Sequence, residues 1–380
     1  MAPVSWSSMR LLVLLCLAGC PKAPSAVGDP TLPEAVAEVE AQAPRVELEA
    51  AAASLDPAVR ARALHLLVRT TDTLDTWAPR ALFDPSAWVQ RAAVDALMER
   101  PDGTPALVSY IEREEADPIG RSLAALALPS GDVTVDTWRE ATVPWDRLPL
   151  ALAAWHHGDA EAEAAVEAAL RTGELPLDLP LMDAIVQHGA ESWLPALAEA
   201  QERAEPELGT ALAAARLQLG DPKGEVELRR ALSGDVHQQM EVLDRIATWE
   251  GATPLIRKAQ AGGPDLVRTH ADLLLTARTG QQPQRLEAAL EHEDREVRLL
   301  GIHAAAQALR HGPADRGLAK AAVEVLRQGV TDPDPSVRAA AARALGTHGG
   351  PSHGDVLRPL LTDEVQQVRI EAAGALLSNG

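Results

Sequence analysis

Apolar and small residues recur every three to four positions through most of this chain, in bursts broken by Gly, Pro and Asp. DPAVRARALHLL (56–67), DREVRLLGIHAAAQAL (294–309), DPSVRAAAARAL (334–345) and EVQQVRIEAAGALL (364–377) share one pattern. Each has a start signal, Val-Arg, small residues at helical spacing and a closing Ala-Leu or Leu-Leu. DPSAWVQRAAVDALM (84–98) is the same unit with Gln90 in place of the arginine. Asp caps the free amides of a first turn, and Pro at the first helical position arrives with its backbone angle preset. The alanines let a neighbouring helix come close while Val and Leu fill the seam. Second helices follow, as in ADRGLAKAAVEVLRQG (314–329) and HGDVLRPLL (353–361).

Reading this unit along the chain predicts first helices starting near residues 57, 86, 118, 146, 179, 206, 235, 264, 294, 335 and 364. The spacings run from 27 to 33 residues, with one exception of 41 between 294 and 335; this is the period of a stacked helix-pair repeat. Composition agrees: the chain has one Phe and one Tyr, and its Ala- and Leu-rich runs disfavour strands. The expected fold is all-α, a solenoid of about 10–11 antiparallel helix pairs over residues 33–380. The last helix, 364–377, has no second helix after it, so its apolar end is expected to be either a frayed cap or a docking face.

With the Val-Arg units established, the chain resembles proteins built of HEAT repeats, specifically the short variety of the phycobilisome-lyase type. That resemblance implies a right-handed α-solenoid, with Val-Arg helices in the outer layer and second helices along the concave face. It also implies a ladder of structural ties between neighbouring repeats, here through Asp56/Arg60, Asp294/Arg298, Asp334/Arg338 and Arg369. Some relatives attach or remove pigments, which leaves an enzyme or enzyme-accessory role as an alternative.

The amino terminus reads differently. An apolar run, Leu11–Leu17, follows Arg10; it is too short to span a bilayer but has the length of a signal-peptide core. Its end, Leu17-Ala18-Gly19-Cys20, resembles the lipobox of bacterial lipoproteins. The resemblance implies removal of residues 1–19 and lipid on Cys20, followed by a Pro- and Ala-rich tether through residue 32. It further implies a place in the bacterial cell envelope, and Pro21 after the cysteine favours the outer membrane over the inner. The two cysteines, Cys16 and Cys20, then leave none for disulfide or thiol chemistry.

Catalytic motifs are missing: no glycine-rich phosphate loop, no GxSxG and no HExxH. No catalytic, cofactor or metal residue is assigned. A formal net charge of −20 disfavours nucleic acid. His156-His157 and the pair His348/His353 fall at turns, where solvation is expected, and most tryptophans fall on apolar stripes. Charge placement offers one candidate surface. Residues 156–210 hold twelve acids against Arg171 and Arg203. Beyond them Arg229, Arg230, Arg257 and Lys258 align in successive second helices. They either orient a protein or peptide partner or pair within their helices, since Glu225 precedes Arg229 by four. The expected function is a membrane-tethered, non-catalytic interaction scaffold, the plainer alternative being a structural envelope lipoprotein.

Overall fold

The computed structural model describes residues 32–379 except 71, 114, 130, 132, 134, 142–143, 173–184, 187–190, 311–315 and 349–350. The signal peptide, Cys20 and nearly all of the tether lie outside the described residues, as does the predicted helix start at 179. Twenty α-helices and no strand occur among the described residues. No helix there is long and apolar enough to cross a membrane.

The Val-Arg helices are α2 (Pro57–Thr70), α4 (Ala87–Met98), α6 (Pro118–Leu126), α7 (Pro144–His156), α10 (Pro206–Gln218), α12 (Val236–Ile246), α14 (Asp265–Thr279), α16 (Arg295–Arg310), α18 (Pro335–His348) and α20 (Gln366–Asn379). Each starts within two residues of its predicted position. Between them run α3 (Leu74–Leu82), α5 (Thr104–Ile111), α8 (Ala160–Thr172), α9 (Leu194–Arg203), α11 (Pro222–Ala231), α13 (Thr253–Gly262), α15 (Gln284–Leu290), α17 (Arg316–Gly329) and α19 (Gly354–Leu357). The chain begins its described part with α1, Leu32–Ala51.

Local chemistry explains the starts and stops. Asp117 accepts the Gly120 amide at 2.7 Å ahead of Pro118, and Asp235 accepts the Gln238 amide at 2.9 Å. Such a cap satisfies a first-turn amide that has no helical partner. Gly280 ends α14 at φ +71°, a left-handed conformation that costs a side chain-bearing residue energy. Pro359 interrupts the second helix after α19, which continues as 3₁₀ turns.

Where both are described, successive Val-Arg helices pack directly on one another: α2 on α4, α4 on α6, α6 on α7, and then α10 on α12, α12 on α14 and on through α16, α18 and α20. The second helices touch each other at far fewer places. In a curved stack the tighter layer has the shorter circumference, so the Val-Arg helices form the inner layer. This reverses the expectation drawn from the resemblance. Alanine makes the close approach possible; Ala339, Ala341, Ala342, Ala372 and Ala373 are all buried between neighbours. At Gly346 a Cβ would stand 2.6 Å from Ala375 Cα, so α18 and α20 meet backbone to backbone.

The stack does not end at α20. That helix packs on α2 as well as α18, and α1 lies against both α20 and α2. The first helix thus takes the place that a second helix takes elsewhere, and the solenoid closes into a ring. Ile370, Ala373 and Ala375 share one continuous core with Leu48, Ala51 and Leu66. Arg62 reaches Glu371 across the seam at 2.7 and 2.9 Å, and Arg369 reaches Glu47 at 2.8 Å. The expected uncovered end is therefore a covered one.

Candidate functional site

The arginine of Val-Arg does two jobs. In α18, Arg338 donates to the Asp332 and Pro333 carbonyls of the turn before its own helix. Its other nitrogens grip Asp363 of the next repeat at 2.8 and 3.0 Å. Arg60 with Asp84, and Arg298 with Asp332, repeat that bidentate geometry. Each tie thus links an arginine to the following repeat. Asp56, Asp294 and Asp334 instead accept amides of their own helices. In α4 the donor is Arg91, which holds Asp117, while Gln90 keeps the turn-stapling bond to the Asp84 carbonyl and accepts the Tyr110 hydroxyl and the Asp117 amide. Arg369 finds Glu47 of α1, so the ladder runs across the seam.

Burial pushes the carboxyls of Asp84, Asp363 and Glu371 up, but arginine hydrogen bonds outweigh it and hold all three below the usual range. For Glu371 two guanidiniums act, Arg62 and Arg343. Carboxyls depressed in the folded state stabilise the fold fully above their unfolded pKa, near 4, and lose that contribution as pH falls through the folded value. Melting temperature by circular dichroism is expected to hold at neutral pH and fall steeply below about pH 4. Asp363→Ala, which takes the carboxylate partner from Arg338 and the acceptor from the Val365 amide, is expected to cost about 2 kcal/mol at pH 7. A flat melting profile in acid would contradict both statements.

Between α10 and α16 the ladder is missing. The arginine position of α12 holds Gln239, and the acceptor position before α14 holds Gly262. Arg268 of α14 turns to Asp265 of its own helix, and His292 stands where the next acceptor would be. The apolar core also divides here, a second cluster spanning Ala213 to Leu274. Buried polar atoms without hydrogen bonds gather in the same arc: Gln239 Oε1, His270 Nδ1 and Arg278 Nε. Burial, and then His303, push His270 down to about 4. The ring consists of an arc tied by Arg–Asp rungs through the seam and, opposite, an arc without those rungs, where Arg278 donates instead to the Ile246, Ala247 and Trp249 carbonyls of the preceding repeat.

The remaining candidates resolve into structure. His157 accepts the Gly131 amide at 3.0 Å through Nδ1 and pairs with the Ala125 carbonyl at 2.7 Å through Nε2. His156 meets the Leu128 carbonyl, so this pair laces a loop to α7 and does not stand free in solvent. His353 is buried against Arg327. Among the described residues no group of His, Cys, Asp and Glu could hold a metal. Trp77, Trp138 and Trp193 are buried as expected, but Trp88 is 75% exposed.

Of the four cations singled out in the sequence, three serve their own surroundings or stand apart. Arg229 pairs with Glu225 at 2.6 Å, as the helical alternative required. Lys258 donates to the Arg229 carbonyl at 2.8 Å, and Arg257 is exposed. Arg230 pairs with Glu227 at 2.5 Å and also lines a cavity of about 460 Å³. That cavity lies between α9 and α11, which both pack on α10. Its floor is Arg216, buried and held by Asp221 at 3.0 Å and Gln201 at 2.6 Å. Sequence reading missed Lys223 on one wall, and it counted Glu202 in the acidic stretch 156–210 without placing it opposite α11. The signal was there in part: Lys223, Val226, Glu227 and Arg230 follow i, i+3, i+4, i+7 spacing, which puts them on one helix face.

Comparison with known proteins places residues 283–377 in a match to the family model of HEAT repeats. This segment contains three of the tied units. An engineered protein of known structure covers 88% of this chain and 98% of its own at 18% identity, with a TM-score of 0.30. No curated protein matches.

Proposed function

We propose that this chain is a lipid-tethered interaction scaffold of the bacterial cell envelope, non-catalytic, binding a protein or peptide partner on the surface of its ring. The observation that carries the scaffold reading is the closed two-layer ring itself. Its ion pairs and buried acids are spent on holding helices together: Glu371, 1% exposed, sits between Arg62 and Arg343. Solenoids of this kind present long surfaces on which partners dock. The lipid reading rests on Leu17-Ala18-Gly19-Cys20 directly after the apolar run, and acyl chains on Cys20 would hold the ring at the outer membrane.

Two measurements test this. Radiolabelled palmitate is expected to enter the wild-type chain and not Cys20→Ala; an unlabelled wild type ends the anchor. Photo-crosslinking from several exposed ring positions in intact cells, followed by mass spectrometry, is expected to return specific partners. A ring that crosslinks to nothing would instead favour a purely structural lipoprotein.

A further inference from the structure

The geometry points to the cavity between α9 and α11 as the docking groove, and to its occupant as an amphipathic partner helix bearing acidic residues along one flank and basic residues along the other. This rests on the scaffold reading above and gives it a place and a chemistry. Second helices of consecutive repeats diverge because they lie on the longer, outer circumference. Here they leave a trough whose floor is α10. Gly224 fixes one wall: a Cβ there would stand 2.5 Å from the Ala213 carbonyl oxygen, so α11 is pressed directly onto α10.

The trough is lined like a helix seat. From α11 come Lys223, Val226, Glu227 and Arg230, and from α9 come Ala198 and Glu202. Val226 is 56% exposed, an apolar side chain with nothing described upon it. The walls differ in charge: on α11 Arg230 is paired with Glu227, Lys223 meets no ion pair among the described residues, and α9 offers Glu202 with Glu205 just past its end. Lys223 and Glu202 form no ion pair across the trough among the described residues. Facing charges that do not neutralise each other select a ligand that bridges them. A helix offering an acid toward Lys223, a small apolar stripe toward Val226 and Ala198, and bases toward Glu202 matches these walls, and a second acid seven residues on would meet Arg230 in competition with Glu227. A uniformly acidic partner would meet the −20 charge of the whole chain, and a uniformly basic one would meet Lys223 and Arg230. The floor arginine is held by Asp221 and Gln201, so it shapes the seat and is not released on binding.

The test uses the full lipidated chain in detergent and a synthetic lactam-stapled helix of about fifteen residues carrying those three stripes. Saturable binding by fluorescence anisotropy is expected, weakened at least about tenfold by Lys223→Glu with Arg230→Glu. A peptide with its two charged flanks exchanged is expected to bind that double variant better than the wild type. Both substitutions lie at exposed positions, and unchanged melting confirms that each variant folds. No saturable binding, or equal binding of both peptides to both proteins, overturns the proposal. In cells, a photo-crosslinker at Val226 is expected to capture a partner that the charge-reversed variant loses. Capture from Trp88 but not from Val226 overturns the groove and leaves the scaffold standing; capture from neither overturns both.

Discussion

Gly374→Leu is expected to spring the ring open while its helices stay folded. A Cβ on Gly374 would stand 2.6 Å from both methyl carbons of Leu66, which is itself buried in α2. Leu66 is 3% exposed within the shared core of the seam, so swinging it aside to admit a leucine must displace its neighbours. Overpacking of this kind costs about 1–3 kcal/mol, and separating α20 from α2 also strains the Arg62–Glu371 pair. The expected readings are a melting temperature lower by several degrees and a larger radius of gyration in X-ray scattering. Amides of α1 are expected to exchange faster. Gly209→Ala supplies the contrast: it lies inside α10 with open space at its Cβ, and is expected to be neutral or stabilising by up to about 1 kcal/mol. A circular permutant joining Asn379 to Leu32 and cut near Gln281 is expected to fold, since the seam is an ordinary inter-repeat joint. Unchanged scattering in Gly374→Leu would show that closure does not depend on this contact.

The second large effect concerns the untied arc. Native-state hydrogen exchange is expected to show α12 opening at least about tenfold more readily than α18, a difference of ~1.4 kcal/mol. α12 lacks both members of the tie, and its surroundings hold the unpaired atoms of Gln239, His270 and Arg278. The missing rung can be rebuilt. Gly262 has open space where a Cβ would go, so Gln239→Arg with Gly262→Asp restores donor and acceptor together. Neither change alone supplies a pair, so a double-mutant cycle is expected to give a favourable coupling of about 1–2 kcal/mol and to slow exchange in α12. Uniform protection around the ring, or zero coupling, would remove the distinction between the arcs.

Much of this architecture was legible because its causes are local. A cap, a proline and a three-to-four spacing of small residues are enough to start a helix, and the ten described starts fall within two residues of expectation. The ladder was legible only in part. Asp56 and Arg60 share one unit, so proximity in sequence paired them, whereas the real acceptor is Asp84, twenty-four residues on. Ring closure left no local trace. Arg62 and Glu371 lie 309 positions apart, and nothing in either neighbourhood reports the other. The layer order followed from curvature, which depends on packing between repeats and not within one. For the groove, the α11 stripe could be read but the facing α9 wall could not.

Closure by α1 also sets an order of events. In a fold whose contacts are otherwise between neighbours, Arg369–Glu47 spans 322 positions and Arg62–Glu371 spans 309. Local contacts form fast and distant ones late, so each repeat can fold on its predecessor while α1 waits. Until α20 is made, Leu48 and Ala51 have only α2 to lie against, and the apolar side they share with the last repeat is wet. The ring therefore acts as a test of length: a chain cut short or stalled midway displays two unsealed faces, and those faces mark it for aggregation or proteolysis before it can serve as a surface for anything else.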